Sequence, residues 1–186
     1  MQNQGLSRMK YNPALAAMEN VITPDNKQQV AVETGSVLMI ARTAKLSDEL
    51  GFEPIIVATG QEWRRPEILK KHAFDYILPV AFPAAPDLPD EMDWNMVSLD
   101  QLRTWDWAPE IPVLLSKNNR DFSFTIHGLT SLKSFRKNIQ KTIKRGLTEK
   151  IALTAMTTHP AKLLGMSSLL GTIEKGKLAN LTIVDG

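Results

Sequence analysis

No cysteine occurs among the 186 residues of this chain. Disulfides and thiolate metal sites are therefore excluded, and sulfur gives no sign of the redox compartment. Histidine is scarce too, at three residues, which limits any site built from imidazoles. No apolar run approaches the ~18 residues of a membrane-spanning helix. The opening Met1-Gln-Asn-Gln-Gly-Leu-Ser-Arg8 lacks the apolar core of a secretory leader. Neither sign of charge dominates; a net charge of +2 gives no argument for nucleic acid or an acidic partner. Tandem repeats and low-complexity tracts are absent as well. What remains is a chain long enough for one domain with a real core.

Its elements alternate. Asn12-Pro13 opens a short helix that runs to Asn20, and Pro24-Asp25-Asn26 reads as a turn. A short strand follows at 29–33. Ser36 stands where a helix cap belongs, ahead of a helix ending at Leu50 with Gly51 as its stop. Pro54-Ile-Ile-Val-Ala58 is a continuous apolar run, which predicts a strand buried on both faces. Residues 65–72 form a helix with Pro66 in its first turn, and 76–80 the next strand. Residues 81–97 carry Pro83, Pro86 and Pro89 among acids and read as an excursion loop. Short helices at 99–105 and 111–117 precede a strand at 122–126. Leu132, Phe135, Ile139 and Ile143 then make one helical stripe, with Lys133, Lys137, Lys141 and Lys144 outside it. Gly146 stops that helix and Thr148 starts another. Strand and helix thus alternate four times without a hairpin signal, which predicts a parallel α/β sheet with strands adjacent in chain order.

The last stretch is the most specific. Residues 149–165 read Glu-Lys-Ile-Ala-Leu-Thr-Ala-Met-Thr-Thr-His-Pro-Ala-Lys-Leu-Leu-Gly, and Gly171-Thr-Ile-Glu-Lys-Gly-Lys-Leu-Ala-Asn-Leu-Thr-Ile-Val-Asp185 follows shortly after. A helix packing into Pro-Ala-x-x-Leu-Gly, then a Gly-x-Ile-x-x-Gly-Lys-x-Ala hairpin entering a strand, resembles the C-terminal signature of the amidohydrolase superfamily, imidazolonepropionase-like branch. Upstream, 29–60 is similar to that family's fifth and sixth barrel strands. Gln61-Glu62-Trp63-Arg64 resembles the segment after the sixth. Trp105-Asp-Trp-Ala-Pro109 and Phe122-Ser-Phe-Thr125 resemble the approach to the eighth strand and the strand itself. The resemblance implies a partial (β/α)8 TIM barrel, strands five to eight, over 1–170, and the start of a flanking β-sandwich strand over 171–186. A complete barrel takes about 250 residues, so the expectation is a fragment of a longer polypeptide. The missing half of the parent barrel, or self-association, would complete it.

The family holds a divalent metal such as zinc with a His-x-His pair on strand one, histidines ending strands five and six, and an aspartate ending strand eight. Convergent ligands at the C-terminal mouth of the barrel lower the pKa of a bound water. Matched onto this chain, the fifth-strand position falls at Glu33, the sixth at Thr59-Gly60, and the eighth at Ile126 or His127. His159 and Asn180 replace a usual Asn and Asp in packing turns. The expected metal is therefore none, and the expected activity is that of a fragment of a hydrolase of non-peptide C–N bonds that lacks metal-dependent turnover in this chain. The alternative is a non-enzymatic scaffold or small-ligand-binding module built on the same barrel. A weaker option is a sugar- or peptide-binding domain using the 81–97 loop and the tryptophans.

Each residue also has a plainer reading. His127 reads as a hydrogen-bonded mouth residue, His72 as a charge suited to a helix C-terminus, and His159 as a turn cap. Glu33 reads equally as a mouth ligand or an acid at the next helix N-terminus. The lysine stripe reads as a solvated face, since no aromatic residues interleave with it. Trp105 and Trp107 are expected to pack beside the 122–126 strand.

Overall fold

The computed structural model describes residues 10–22, 29–88 and 90–183. The turn expected at 24–26 lies outside them. Four strands, β1 (Val30–Glu33), β2 (Pro54–Val57), β3 (Asp75–Pro79) and β4 (Phe122–Thr125), form one parallel sheet in the order β1-β2-β3-β4. Each lies within a residue or so of its sequence-based position. Eight α-helices occur among the described residues: α1 (Pro13–Ile22), α2 (Val37–Leu50), α3 (Pro66–Lys71), α4 (Leu99–Trp107), α5 (Ile111–Lys117), α6 (Lys133–Lys144), α7 (Glu149–Met156) and α8 (Thr158–Leu163). None is long and apolar enough to cross a membrane.

Local chemistry explains the boundaries. Gly51 adopts φ 73°, the left-handed conformation in which its N–H reaches Ser47 O and ends α2. Ser36 sits at the α2 cap position in extended backbone, but its side chain makes no cap bond. Thr148 does cap α7, accepting from the Ile151 N–H at 3.3 Å. The excursion loop holds a 3-10 turn, Glu91–Met96, closed by a reciprocal Asp90–Asp93 capping box.

Register places Ile56, Tyr76, Leu78 and Phe122 on one face of the sheet. All four are buried in the main core, with Ile40, Leu69, Val80, Ile111 and Leu115. Burying each such side chain is worth about 1.5–3 kcal/mol. The opposite face differs from expectation. Ala31 and Glu33 are exposed there, and Ile55, Val57, Ile77 and Pro79 are only half-buried. The apolar run of β2 is therefore packed on one side and partly open on the other.

The C-terminal stretch departs furthest. Leu178 N–H donates to Leu169 O at 2.9 Å, which closes the expected hairpin turn. Gly171, at φ 100°, sits so close to α8 that a Cβ would lie 3.0 Å from the Ala161 Cβ. No strand forms over 171–183, however, and residues 184–186 lie outside the described set. A sandwich strand needs neighbours to receive its backbone bonds, and none of the described strands pairs with it.

Candidate functional site

Parallel strands deliver their C-terminal ends to one side of the sheet, and the connections leaving them build the mouth. Glu33 ends β1, and His127 lies two residues beyond β4. Although β1 and β4 are the outer strands, the sheet curves enough to bring His127 Nε2 to 3.9 Å from Glu33 Oε1. Both side chains are largely exposed, at 70% and 76%. The His127 backbone N–H donates to Thr125 Oγ1 at 3.3 Å. Gly128 (φ 77°) keeps the loop after β4 close to the loop after β3, where a Cβ would meet that of Ala81 at 3.2 Å. Glu33 therefore faces His127 across the mouth. Thr34 ties the same end of β1 to β2, its hydroxyl donating to Val57 O at 3.2 Å.

Thr59 and Gly60 follow β2. Thr59 donates twice to one carboxylate oxygen of Glu62, from its backbone N–H at 2.6 Å and its hydroxyl at 3.1 Å. The Thr59 hydroxyl in turn accepts from the Gln61 N–H at 3.2 Å. Gly60 takes φ 81°, the positive value this turn requires. These residues line a cavity of about 120 Å³ with Leu78, Pro79, Phe82 and Ala108. The mouth thus holds two pairs, Glu33 with His127 and Thr59 with Gly60.

Glu62 is the residue that sequence reading passed over. It is fully buried, and burial pushes its carboxyl above the ordinary value, opposed by the hydrogen bonds from Thr59 and Gly60. Its second carboxylate oxygen has no partner among the described residues. Tyr76, also fully buried, has an unpartnered hydroxyl whose pKa is raised by burial and then by the Glu62 charge. An acid one turn after an apolar strand was the available signal, but its inward direction depends on the turn at Gly60. Asn138 of α6 was missed as well. Its buried amide donates to Val80 O at 2.7 Å and pins the end of β3.

The other histidines lie elsewhere. His72 follows α3 and stacks on Phe74 at 5.5 Å. His159 does not cap a turn. Its Nδ1 lies 3.0 Å from Phe122 O and its Nε2 3.4 Å from Asp121 Oδ1, so it fastens α8 to the start of β4. A hydrogen bond from Lys162 at 2.7 Å holds the Asp121 carboxyl below its usual value. This cluster is at the end of the sheet opposite the mouth. Trp107 also departs from expectation: it meets Trp63 edge-to-face at 4.7 Å, beside the segment after β2 and not beside β4.

Comparison with known proteins bears on this arrangement. Residues 116–186 match the profile of the amidohydrolase family. The whole sheet is similar to an amidohydrolase from Thermotoga maritima MSB8, with a TM-score of 0.70 and 18% identity. The chain has the fold of part of an amidohydrolase. That match covers 96% of this chain and 43% of the other, so the chain spans less than half of that protein. An uncharacterized protein of known structure matches at TM-score 0.57 and 18% identity, over 85% of this chain and 38% of that one. No curated protein matches.

Proposed function

We propose that this chain supplies strands five to eight of an amidohydrolase-like (β/α)8 barrel, belonging to a hydrolase of non-peptide C–N bonds, and carries no metal-dependent turnover by itself. The carrying observation is that the family match at 116–186 contains β4, the outer strand of a parallel sheet whose fold is shared with an amidohydrolase. The imidazolonepropionase-like branch rests on the resemblance of the C-terminal stretch, residues 149–185. Residues 171–186 would begin the flanking sandwich.

The mouth residues do not fit the divalent metal that the family implies. A catalytic zinc takes three protein ligands. Glu33 and His127 supply two, while Thr59 and Gly60 offer no strong ligand and Glu62 is turned inward. Among the described residues no three of His, Asp and Glu converge. The half-exposed sheet face and the outer edge of β1, which no other described strand pairs, support a complementing half barrel, or a second copy, as the natural partner.

The test is an assay of the chain with added zinc against a panel of small cyclic and linear amides. The expected rate equals that of buffer with zinc. Zinc-dependent turnover that disappears in His127→Ala would overturn the inactive reading.

A further inference from the structure

Away from the mouth, α4 and α6 enclose a cavity of about 230 Å³ lined by Phe82, Pro83, Trp105, Pro109, Lys141, Lys144 and Arg145. Its two sides differ in character. One is a cradle of rings: Pro109 is buried, Phe82 half-buried, and Trp105 37% exposed. Trp63 and Trp107 meet edge-to-face and carry Arg64 and Arg103 over their rings, at 4.7 and 5.6 Å. Among the described residues no ring or guanidinium stacks on Trp105, which lines the cavity and keeps about a third of its surface exposed.

The other side is cationic. Arg145 is already committed, donating to Glu110 at 2.8 Å and to Asp106 at 2.5 Å. That fork joins the end of α6 to α4 and the turn after it, fixing the wall of the cradle. Lys141 and Lys144 form no ion pair among the described residues, and no carboxylate lines the cavity. The lysine stripe lacked aromatic partners in sequence; the fold supplies them from 82 and 105.

We propose that this cradle binds a single planar aromatic or heterocyclic ring bearing a carboxylate or phosphate. The ring stacks on Trp105 against Phe82 and Pro109, and the anion sits between Lys141 and Lys144. The size sets the limit of one ring, since sites for larger ligands run about 300–1,000 Å³. Lysine ammoniums are point charges without a fixed fork, so they accept either anion. The inference is independent of the proposed mouth chemistry, although Phe82 and Pro83 also border the Thr59–Gly60 cavity.

The test is titration of the full chain with benzoate, phenyl phosphate, inorganic phosphate and benzyl alcohol, followed by amide and indole NMR. Both ring-bearing anions should move the Trp105 indole and the Lys144 and Arg145 amides, with Kd about 1 mM. Stronger binding of one of the two identifies which anion the site takes. Trp105→Leu should abolish the shifts. The surface double variant Lys141→Gln/Lys144→Gln should weaken binding about ten-fold while leaving the remaining spectrum in place. Equal binding of benzyl alcohol and benzoate would overturn the role of charge. Equal shifts from inorganic phosphate alone would reduce the site to a bare cationic patch. No shift at Trp105 from either ring-bearing anion would overturn the proposal outright.

Discussion

Truncating Glu62 to alanine should destabilise the chain by about 2–4 kcal/mol. The variant leaves a cavity at a fully buried position, and it strips the Thr59 N–H and hydroxyl of their shared acceptor. Glu62→Gln retains that acceptor and should keep most of the stability at low pH. The two proteins should then diverge with pH. Burial raises the Glu62 pKa above its ordinary 4.5, so the folded chain holds this proton more tightly than the unfolded one. The stabilising contribution of the neutral acid is complete below pH 4.5 and is lost as pH rises through the folded-state value. Wild type should therefore lose stability relative to Glu62→Gln above pH 4.5, where the glutamine stays neutral. Thermal midpoints of the three proteins across the acid and neutral range check this. Parallel curves for wild type and Glu62→Gln would show that Glu62 ionises as freely in the fold as outside it.

At tens of micromolar the isolated chain should scatter light as a dimer or a larger species. The reason lies on β1 and α2. β1 is an edge strand, with one row of backbone groups unpaired by the sheet. Beside it, Met39, Leu46 and Leu50 form a stripe along α2 and stay 39%, 48% and 46% exposed. The stripe flanks the face that α2 already buries, Val37, Ile40, Thr43, Ala44 and Ser47, and leaves apolar surface beside it for a partner. Leu46→Lys with Leu50→Glu should move the population toward monomer without loss of helix. A clean wild-type monomer with a cooperative melt would count against association, and with it against the need for a complementing half.

Most of the sheet was legible because its signals are local. The apolar run at 54–58 suited a strand, which formed with only one face fully buried, and Gly51 and Thr148 mark helix ends by backbone conformation and hydrogen bonding. The parallel order followed from strand–helix alternation. Residues whose roles depend on distant partners were not legible. His159 reaches back 37 residues to Phe122, and Asn138 reaches back 58 to Val80. The Glu62 side chain turns inward only because Gly60 permits the turn before it. The strand expected after Gly176 shows the same limit, since its residue pattern is strand-like but no described strand receives it. At the mouth, sequence reading placed Glu33 and His127 separately. Their approach to 3.9 Å depends on curvature of the whole sheet.

The central claim is that this chain, though it shares the fold of part of an amidohydrolase, does not by itself assemble a catalytic metal site. Elemental analysis after zinc loading and dialysis against a chelator tests it most directly. The account predicts well under one equivalent of retained zinc, unchanged in Glu33→Ala and His127→Ala, because two exposed ligands without a third bind only weakly. One retained equivalent, lost in either variant, would contradict it.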